Sequence, residues 1–419
     1  MIELVSERPV LIRYLGHEVI DVVVINRFGL VTNKQECLRQ QQANSPRNRL
    51  AIMAAVPEVG IEVDPKNYDG ALRDVLEVVR PAWKRDDIHF KFLVQGYMNH
   101  VLACYIDEDN KNDWIVARIF GTDIEFGQQR DVEIRNSKLY AEREIGPPVY
   151  GIFKNGLLFK FMTGKTYSWT DVISAFRDIK LCKAVAREMA NIHCEKSYKL
   201  AIEKYDIHQA KRVEDIFEEM LTKPWPDVII DEETTKWFTS EVPPMEERLR
   251  EVRMLLERFK DDSITETFCH GDFNPTNVIY DEDNDKVTMI DFESSSISYP
   301  TYDFSAFFST AASGLTSDPE GMMFSPEFKR DFLYEYLRER NRLDGGPGEV
   351  DERLLAKYAA MVEVTEICMN YFWFILSPMM ALAPPRHGHD NKFFLRFALG
   401  RLQYYNRHRE RMLAITIPK

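Results

Sequence analysis

The sequence has no C-x-x-C pair: its six cysteines, Cys37, Cys104, Cys182, Cys194, Cys269 and Cys368, are scattered over 419 residues. That spacing excludes a zinc ribbon and a disulfide scaffold, and it predicts a reducing compartment. Basic charge is also short. Fifty-four Lys and Arg face 67 Asp and Glu, for a net charge of −13. Such a chain is a poor match for nucleic acid or an anionic membrane surface. Long apolar runs are missing too. The most apolar late stretch, Tyr371 to Ala383, is broken by Ser377 and Pro378 and is too short to span a bilayer. The opening MIELVSERPVLIRYLG mixes two acids and an arginine into its first residues, unlike a secretory signal. The expectation is a soluble, cytoplasmic protein with no membrane span and no nucleic-acid partner. No fixed-period repeat or low-complexity tract is present.

What is present is a change of period along the chain. VIDVVVI (Val19–Ile25) reads as a strand, and QECLRQQQANSPRNRL as a polar helix followed by a loop. Leu72, Val75, Leu76 and Val79 are spaced as one face of a helix. Alternation then takes over: HFKFLVQ, a turn at Gln95-Gly96, MNHVLACY, a polar turn, and WIVARIFG read as three strands. VEIRNSKLYAERE is a helix stopped by Gly146-Pro147-Pro148, and VYGIFKNGLLFKF is a hairpin turning at Asn155-Gly156. From about Thr170 the pattern is helical, interrupted by TFCHGDFNPTNVIYDEDNDKVTMIDFE, where VIY and VTMI flank an acidic turn. A sheet-rich front and a helix-rich back predict an α+β fold with two lobes. Residues 1–163 form an N-terminal segment plus a small antiparallel-sheet lobe, and residues 164–419 a larger, mainly helical lobe.

The interruption carries the chemistry. His270-Gly271-Asp272 is followed by Asn277, and then by Ile290-Asp291-Phe292-Glu293. Phosphoryl transfer from ATP needs a carboxylate to orient the attacking hydroxyl and take its proton, and oxygen ligands to hold magnesium against the phosphates. An Asp and an Asn five apart on one loop place a base and a metal ligand side by side, and a second Asp after the next short strand completes the set. A single Asp is most often a turn or cap residue, but the whole spacing by chance is a poor alternative. Asp272 is therefore the candidate base, Asn277 and Asp291 the candidate magnesium ligands, and Glu293 an acid beside them. In the front lobe, Gly96 and Asn99 lie in a turn suited to covering phosphates. Arg118, flanked by apolar strand residues, points away from their face, and Glu133 on the following helix is the acid to pair with it. No G-x-G-x-x-G precedes the Arg118 strand and no A-P-E follows Glu293, which argues against a protein kinase.

From about Trp83 onward the residues resemble the choline/ethanolamine kinase family, relatives of the aminoglycoside phosphotransferases. The resemblance rests on GPPVYGIFKNGLLFKF (Gly146–Phe161), VAREMANIH (Val185–His193), the His270-Gly271-Asp272 loop, IDFE, and Tyr302-Asp303-Phe304. It implies a bilobal protein kinase-like fold, with ATP and Mg2+ as cofactors. It also implies phosphorylation of a small amino alcohol, choline or ethanolamine, the first step toward the corresponding phospholipid. A homodimer is compatible with it. By the same resemblance Arg118 stands where protein kinases have lysine, His270 and Asp303 brace the loop, and Trp373 and Phe397 belong to the substrate pocket with Asp272.

The family grips a quaternary ammonium with aromatic faces and a carboxylate. Here Ser294, Thr310, Leu376 and Phe397 stand where an aromatic, an acid, a Trp and a Tyr are usual, and Gly271 replaces the usual Asn. Glu366, Asn370 and Trp373 share one helical face, but Glu366 is expected to be solvated, two turns from Trp373. A kinase of this fold with another small hydroxyl substrate is one alternative. A non-catalytic kinase-fold protein is another, disfavoured because Asp272, Asn277 and Asp291 are all retained.

Overall fold

The computed structural model describes residues 56–95, 99–120, 130–207, 212, 215, 231–261, 264–381 and 391–418, together with the backbone of three short strands within 11–31. It falls into two units, Met1–Pro57 and Glu58–Lys419. The first contains an antiparallel sheet of β1 (Leu11–Arg13), β2 (Val22–Asn26) and β3 (Gly29–Val31), paired in that order. The strand expected at Val19–Ile25 is thus found slightly later. The polar helix expected after it lies outside the described residues.

The second unit opens with the edge strand β4 (Glu58–Val59) and helix α1 (Asp69–Val79), which buries Leu72, Val75 and Leu76 as the sequence spacing requires. β5 (His89–Gln95), β6 (Asn99–Tyr105), β7 (Ile115–Phe120), β8 (Val149–Phe153) and β9 (Gly156–Lys160) complete a six-stranded sheet in the order β4-β8-β9-β7-β6-β5. All pairs are antiparallel except β4 with β8. The two-residue period of β7 sends Ile115, Ala117 and Ile119 into a core shared with α1, which places Arg118 and Phe120 on the opposite face. Helix α2 (Arg130–Glu142) follows β7.

Beyond β9 the chain is mostly helical: α3 (Val172–Ala175), α4 (Ile179–His193), α5 (Glu195–Glu203), α6 (Glu232–Ser240) and α7 (Met245–Leu256) come first. Four short strands follow, β10 (Thr267–Cys269), β11 (Val278–Asp281), β12 (Lys286–Met289) and β13 (Ser296–Ser298). Then come α8 (Thr301–Ser313), α9 (Pro326–Leu343), α10 (Glu352–Met380) and α11 (Asn391–Ala414). One core joins α2, α4, α8 and α9; a second joins α7, α10 and α11. Helix α10 is long and apolar enough to cross a membrane by composition, yet 72% of its apolar window is buried inside the protein. Its apolar residues pack against α8 and α11, which is what a core helix does. The architecture is the expected bilobal α+β plan.

Candidate active site

Two tiny antiparallel pairs build the site. β10 pairs with β13 and β11 with β12, Val278 lying opposite Met289. One step beyond that pair, the Ile290 N–H donates to the Asn277 carbonyl at 3.0 Å. Asn277, at the end of the loop, and Asp291, just past β12, are therefore forced to the same end of one ladder. This is why the two residues, distant in sequence, belong to one cluster.

The loop between β10 and β11 is held by buried groups. Asp303, at the start of α8, accepts from the His270 N–H at 2.7 Å, the Gly271 N–H at 3.0 Å and the His193 Nε2–H at 3.0 Å. Burial is the first influence on His193 and drives its pKa down, so the ring is neutral; its Nδ1 then takes the Tyr336 hydroxyl at 3.1 Å. These donors outweigh burial at Asp303 and keep its carboxylate ionised. The His270 Nε2–H donates to the Ile290 carbonyl at 3.1 Å, which leaves Nδ1 to accept from the Asp272 N–H at 3.3 Å. Gly271 has φ +79°, and a Cβ there would lie 2.1 Å from the Ser294 carbonyl oxygen. Glycine at this position is thus a steric requirement of this chain.

The Asn277 amide donates to the Asp272 carbonyl at 3.0 Å and to Asp272 Oδ2 at 3.2 Å. Burial, and then the Asp291 carboxylate, push the Asp272 pKa upward, in the direction that suits a proton acceptor. Burial and Asp291 also push Glu293 upward, against the pull of Arg118. Asp291 itself sits at φ +70°, a left-handed conformation tolerated by Asp more than by most residues.

Arg118 of β7 ties the lobes together. Its Nε lies 2.9 Å from Glu133 Oε1, and its Nη2 lies 2.7 Å from Asp291 Oδ1 and 2.8 Å from Glu293 Oε2. Burial opposes the guanidinium charge, but the three carboxylates hold it protonated. Helix α2 is fastened to the same segment by Asn136, whose amide donates to the Phe292 and Ser295 carbonyls at 2.9 and 3.0 Å. The Phe292 ring stacks on Tyr140 at 3.8 Å between centroids, and a Cβ on Gly146 would strike it at 2.5 Å. The glycine that stops α2 therefore also makes room for the IDFE phenylalanine. Asn136 and Tyr140 escaped the sequence reading because nothing in a helical pattern tells which buried polar residues face another loop. Gly96 lies outside the described residues. Asn99 pairs in register with Phe120, two residues from Arg118, and its side chain is likewise outside them.

The acceptor side is organised around α8, α10 and α11. Trp373 Nε1–H donates to Ser309 Oγ at 3.3 Å, and its ring meets Phe397 edge-on at 6.3 Å. Phe397 is buried, and the Arg401 guanidinium carbon lies 4.6 Å from its ring centroid. Arg401 donates to Asn370 Oδ1 and Ser313 Oγ, each at 2.9 Å, and to the Gly314 carbonyl at 3.0 Å. The Thr310 hydroxyl is spent on the α8 backbone. Glu366 is 4% exposed and ion-paired with Lys329. Its expected solvation is incorrect, because α9 reaches over this face of α10. The structure gathers Asp272, Asn277, Asp291, Glu293, Arg118 and Glu133 into one cluster. Trp373 and Phe397 form a separate pair, linked to the catalytic loop through α8.

The family model for choline/ethanolamine kinase matches residues 90–406. The chain belongs to the choline/ethanolamine kinase family. It is an ATP-dependent phosphotransferase with an alcohol acceptor of the choline/ethanolamine class. Rattus norvegicus ethanolamine kinase 2 is 29% identical over 374 residues, covering 87% of this chain and 88% of the relative. Mus musculus ethanolamine kinase 1 is 24% identical over 368 residues, 87% of this chain and 96% of the relative. Among solved structures, a Plasmodium vivax ethanolamine kinase superposes with a TM-score of 0.63 at 17% identity, covering 92% of this chain and 98% of that one. A Cryptosporidium parvum choline kinase gives 0.59 at 18% identity, covering 82% and 95%. These two likenesses support the kinase fold.

Proposed function

We propose that this choline/ethanolamine kinase family member phosphorylates ethanolamine in preference to choline, using the cluster around Asp272. The observation that carries the catalytic part is the junction of Asp272, Asn277 and Asp291 at one ladder end, with Arg118 beside them. The front lobe, ending near residue 163, and the helical lobe from 164 enclose the nucleotide. The acceptor hydroxyl oxygen attacks the γ-phosphorus, the bond from phosphorus to the β,γ-bridging oxygen breaks, and the hydroxyl proton passes to the Asp272 carboxylate. Arg118, steadied by Glu133, neutralises the phosphates, and the turn that the sequence places at Gly96 and Asn99 covers them.

The donor set fits a magnesium ion. Asn277 spends its amide nitrogen on Asp272, and Asp291 gives one oxygen to Arg118, so an amide oxygen and a carboxylate oxygen remain as hard ligands. Bound there, the ion would neutralise charge on the β- and γ-phosphates.

Two findings support ethanolamine. A trimethylammonium group needs several aromatic faces, and at this acceptor end the Phe397 ring already carries Arg401 while Ser294, Thr310 and Leu376 supply none. A primary ammonium instead needs hydrogen-bond acceptors, which hydroxyl side chains provide. The Rattus norvegicus and Mus musculus relatives above are also named ethanolamine kinases. The acidic chain and the burial of α10 support a cytoplasmic protein without a membrane span. ADP release from purified protein with ethanolamine, choline, aminoglycosides and neutral alcohols tests the reading. Higher kcat/KM for ethanolamine than for choline is expected. Equal or greater kcat/KM for choline overturns the preference, and turnover of neither amine overturns the substrate class.

A further inference from the structure

Three side chains on one face of α2 meet the segment that follows β12. Glu133, Asn136 and Tyr140 lie three and then four residues apart, the spacing of a single helical face. Glu133 reaches the segment through Arg118. Tyr140 stacks on Phe292, and its hydroxyl lies 3.2 Å from Ser295 Oγ, which donates to the His270 carbonyl at 3.0 Å. Asn136 grips the backbone itself. Its amide nitrogen serves two carbonyls, Phe292 at 2.9 Å and Ser295 at 3.0 Å.

Those two carbonyls bound one turn. The Ser295 N–H donates to the Phe292 carbonyl at 3.2 Å, so Asn136 reinforces from outside a loop that the chain already closes on itself. Within the loop lie Glu293 and Ser294, and the Ser294 carbonyl packs against Gly271. Just after it, Ser296 enters the ladder opposite Cys269. Just before it lies Asp291, at φ +70°. A non-glycine residue keeps such a backbone where its surroundings over-determine it. On the N-terminal side of Asp291, the Ile290 N–H and carbonyl are fixed to Asn277 and His270. On the C-terminal side, the Phe292–Ser295 turn and the Asn136 amide do the same.

The residue type at 136 follows from this task. Both neighbours are acceptors, so the amide must turn its nitrogen, with two N–H donors, toward the turn. Asn136 is fully buried, and among the described residues its Oδ1 has no hydrogen-bond partner. A buried amide oxygen is thus left unsatisfied while both donors stay on the turn. Buried polar atoms are rarely left so without a reason.

We propose that Asn136 is a positioning residue for phosphoryl transfer. Its two N–H groups lock the turn from Phe292 to Ser295 and so keep Asp291 in the left-handed conformation beside Asn277. The proposal rests on the phosphotransfer reading of the cluster. It ties one buried amide on α2 to metal dependence, which a merely structural hydrogen bond would leave unchanged.

The test is kinetics and calorimetry on the full-length protein. Asn136→Asp keeps the shape but sets a carboxylate against two carbonyls. It should lower kcat by about tenfold, with an unchanged KM for the amino alcohol. It should also raise the Mg2+ concentration for half-maximal rate several-fold. Mg-ADP binding should weaken several-fold, whereas ADP binding in EDTA should match wild type. If Asn136→Asp proves poorly folded, Asn136→Ala, which removes the donors without adding charge, should show the same rise in Mg2+ requirement. Leu333→Ala on α9, a fully buried core position, controls for general destabilisation: it should lower the melting temperature and leave the Mg2+ requirement unchanged. A wild-type Mg2+ requirement in either Asn136 variant overturns the proposal. So does an equal loss of ADP affinity with and without Mg2+, or the same rise in Leu333→Ala. Absence of ADP release by the wild-type protein on every acceptor would instead overturn the phosphotransfer reading itself.

Discussion

At the scale of single residues, the catalytic loop concentrates its demands on two neighbours, Gly271 and Asp272. Asp272→Asn keeps the shape of the site and removes the proton acceptor, so kcat should fall by at least ~10²-fold with Mg-ATP binding retained; steady-state kinetics and calorimetry check both halves. Gly271→Ala asks for a different failure. The new methyl would meet the Ser294 carbonyl oxygen at 2.1 Å on a backbone at φ +79°, so the loop must shift and Asp272 with it. Thermal unfolding should show a loss of at least ~1 kcal/mol, alongside lower turnover. The identity of residue 272 as an acid was legible from spacing. The reason its predecessor is glycine was not, because the obstructing carbonyl belongs to a segment more than twenty residues away.

At the scale of elements, α4 carries a buried acid whose pH behaviour can be measured. Glu188 is 9% exposed, and burial raises its pKa from 4.5 to about 8, against the opposing influence of Lys286 and an Asn191 hydrogen bond. The folded state thus binds a proton that the unfolded state releases above about pH 4.5. The contribution to stability is greatest below the unfolded pKa and is lost as pH rises toward 8. Glu188→Gln should remove this dependence, so its advantage over wild type in melting temperature should grow from pH 5 to pH 8. A constant difference across that range would show that Glu188 is not a buried titrating group. Helix α8 illustrates the opposite case, a buried acid kept ionised because Asp303 accepts three hydrogen bonds.

At the scale of the whole molecule, the Arg118 contacts to Asp291 and Glu293 join the sheet lobe to the helical lobe across more than 170 residues of sequence. A nucleotide and metal bound at this junction should stabilise both lobes together. At a hundred times its dissociation constant, Mg-ATP should contribute about 2.7 kcal/mol, seen as a rise of several degrees in melting temperature. Asp291→Ala should lose the magnesium-dependent part of that rise. An unchanged shift in the variant would place the metal elsewhere.

Local pattern was enough to determine the α1 face, the β7 alternation, the hairpin at Asn155-Gly156, and the loop that holds Asp272 and Asn277. Each rests on a period or a spacing within a dozen residues, where backbone geometry leaves few choices. The pairing of Arg118 with Glu133 was also legible, since strand and helix are adjacent in the chain. Tertiary structure alone decided the rest. Glu366 reads as a surface residue until α9 covers it and brings Lys329. Phe397 reads as a substrate-pocket aromatic until Arg401, one turn along α11, settles on its ring. Arg130 lies before the helix that the sequence pattern starts at Val132, until the fold begins α2 there and sets its guanidinium on Phe120 of the preceding strand. In each case the deciding partner is set by how elements pack, and burial changes what a charge or a ring can do once water is excluded.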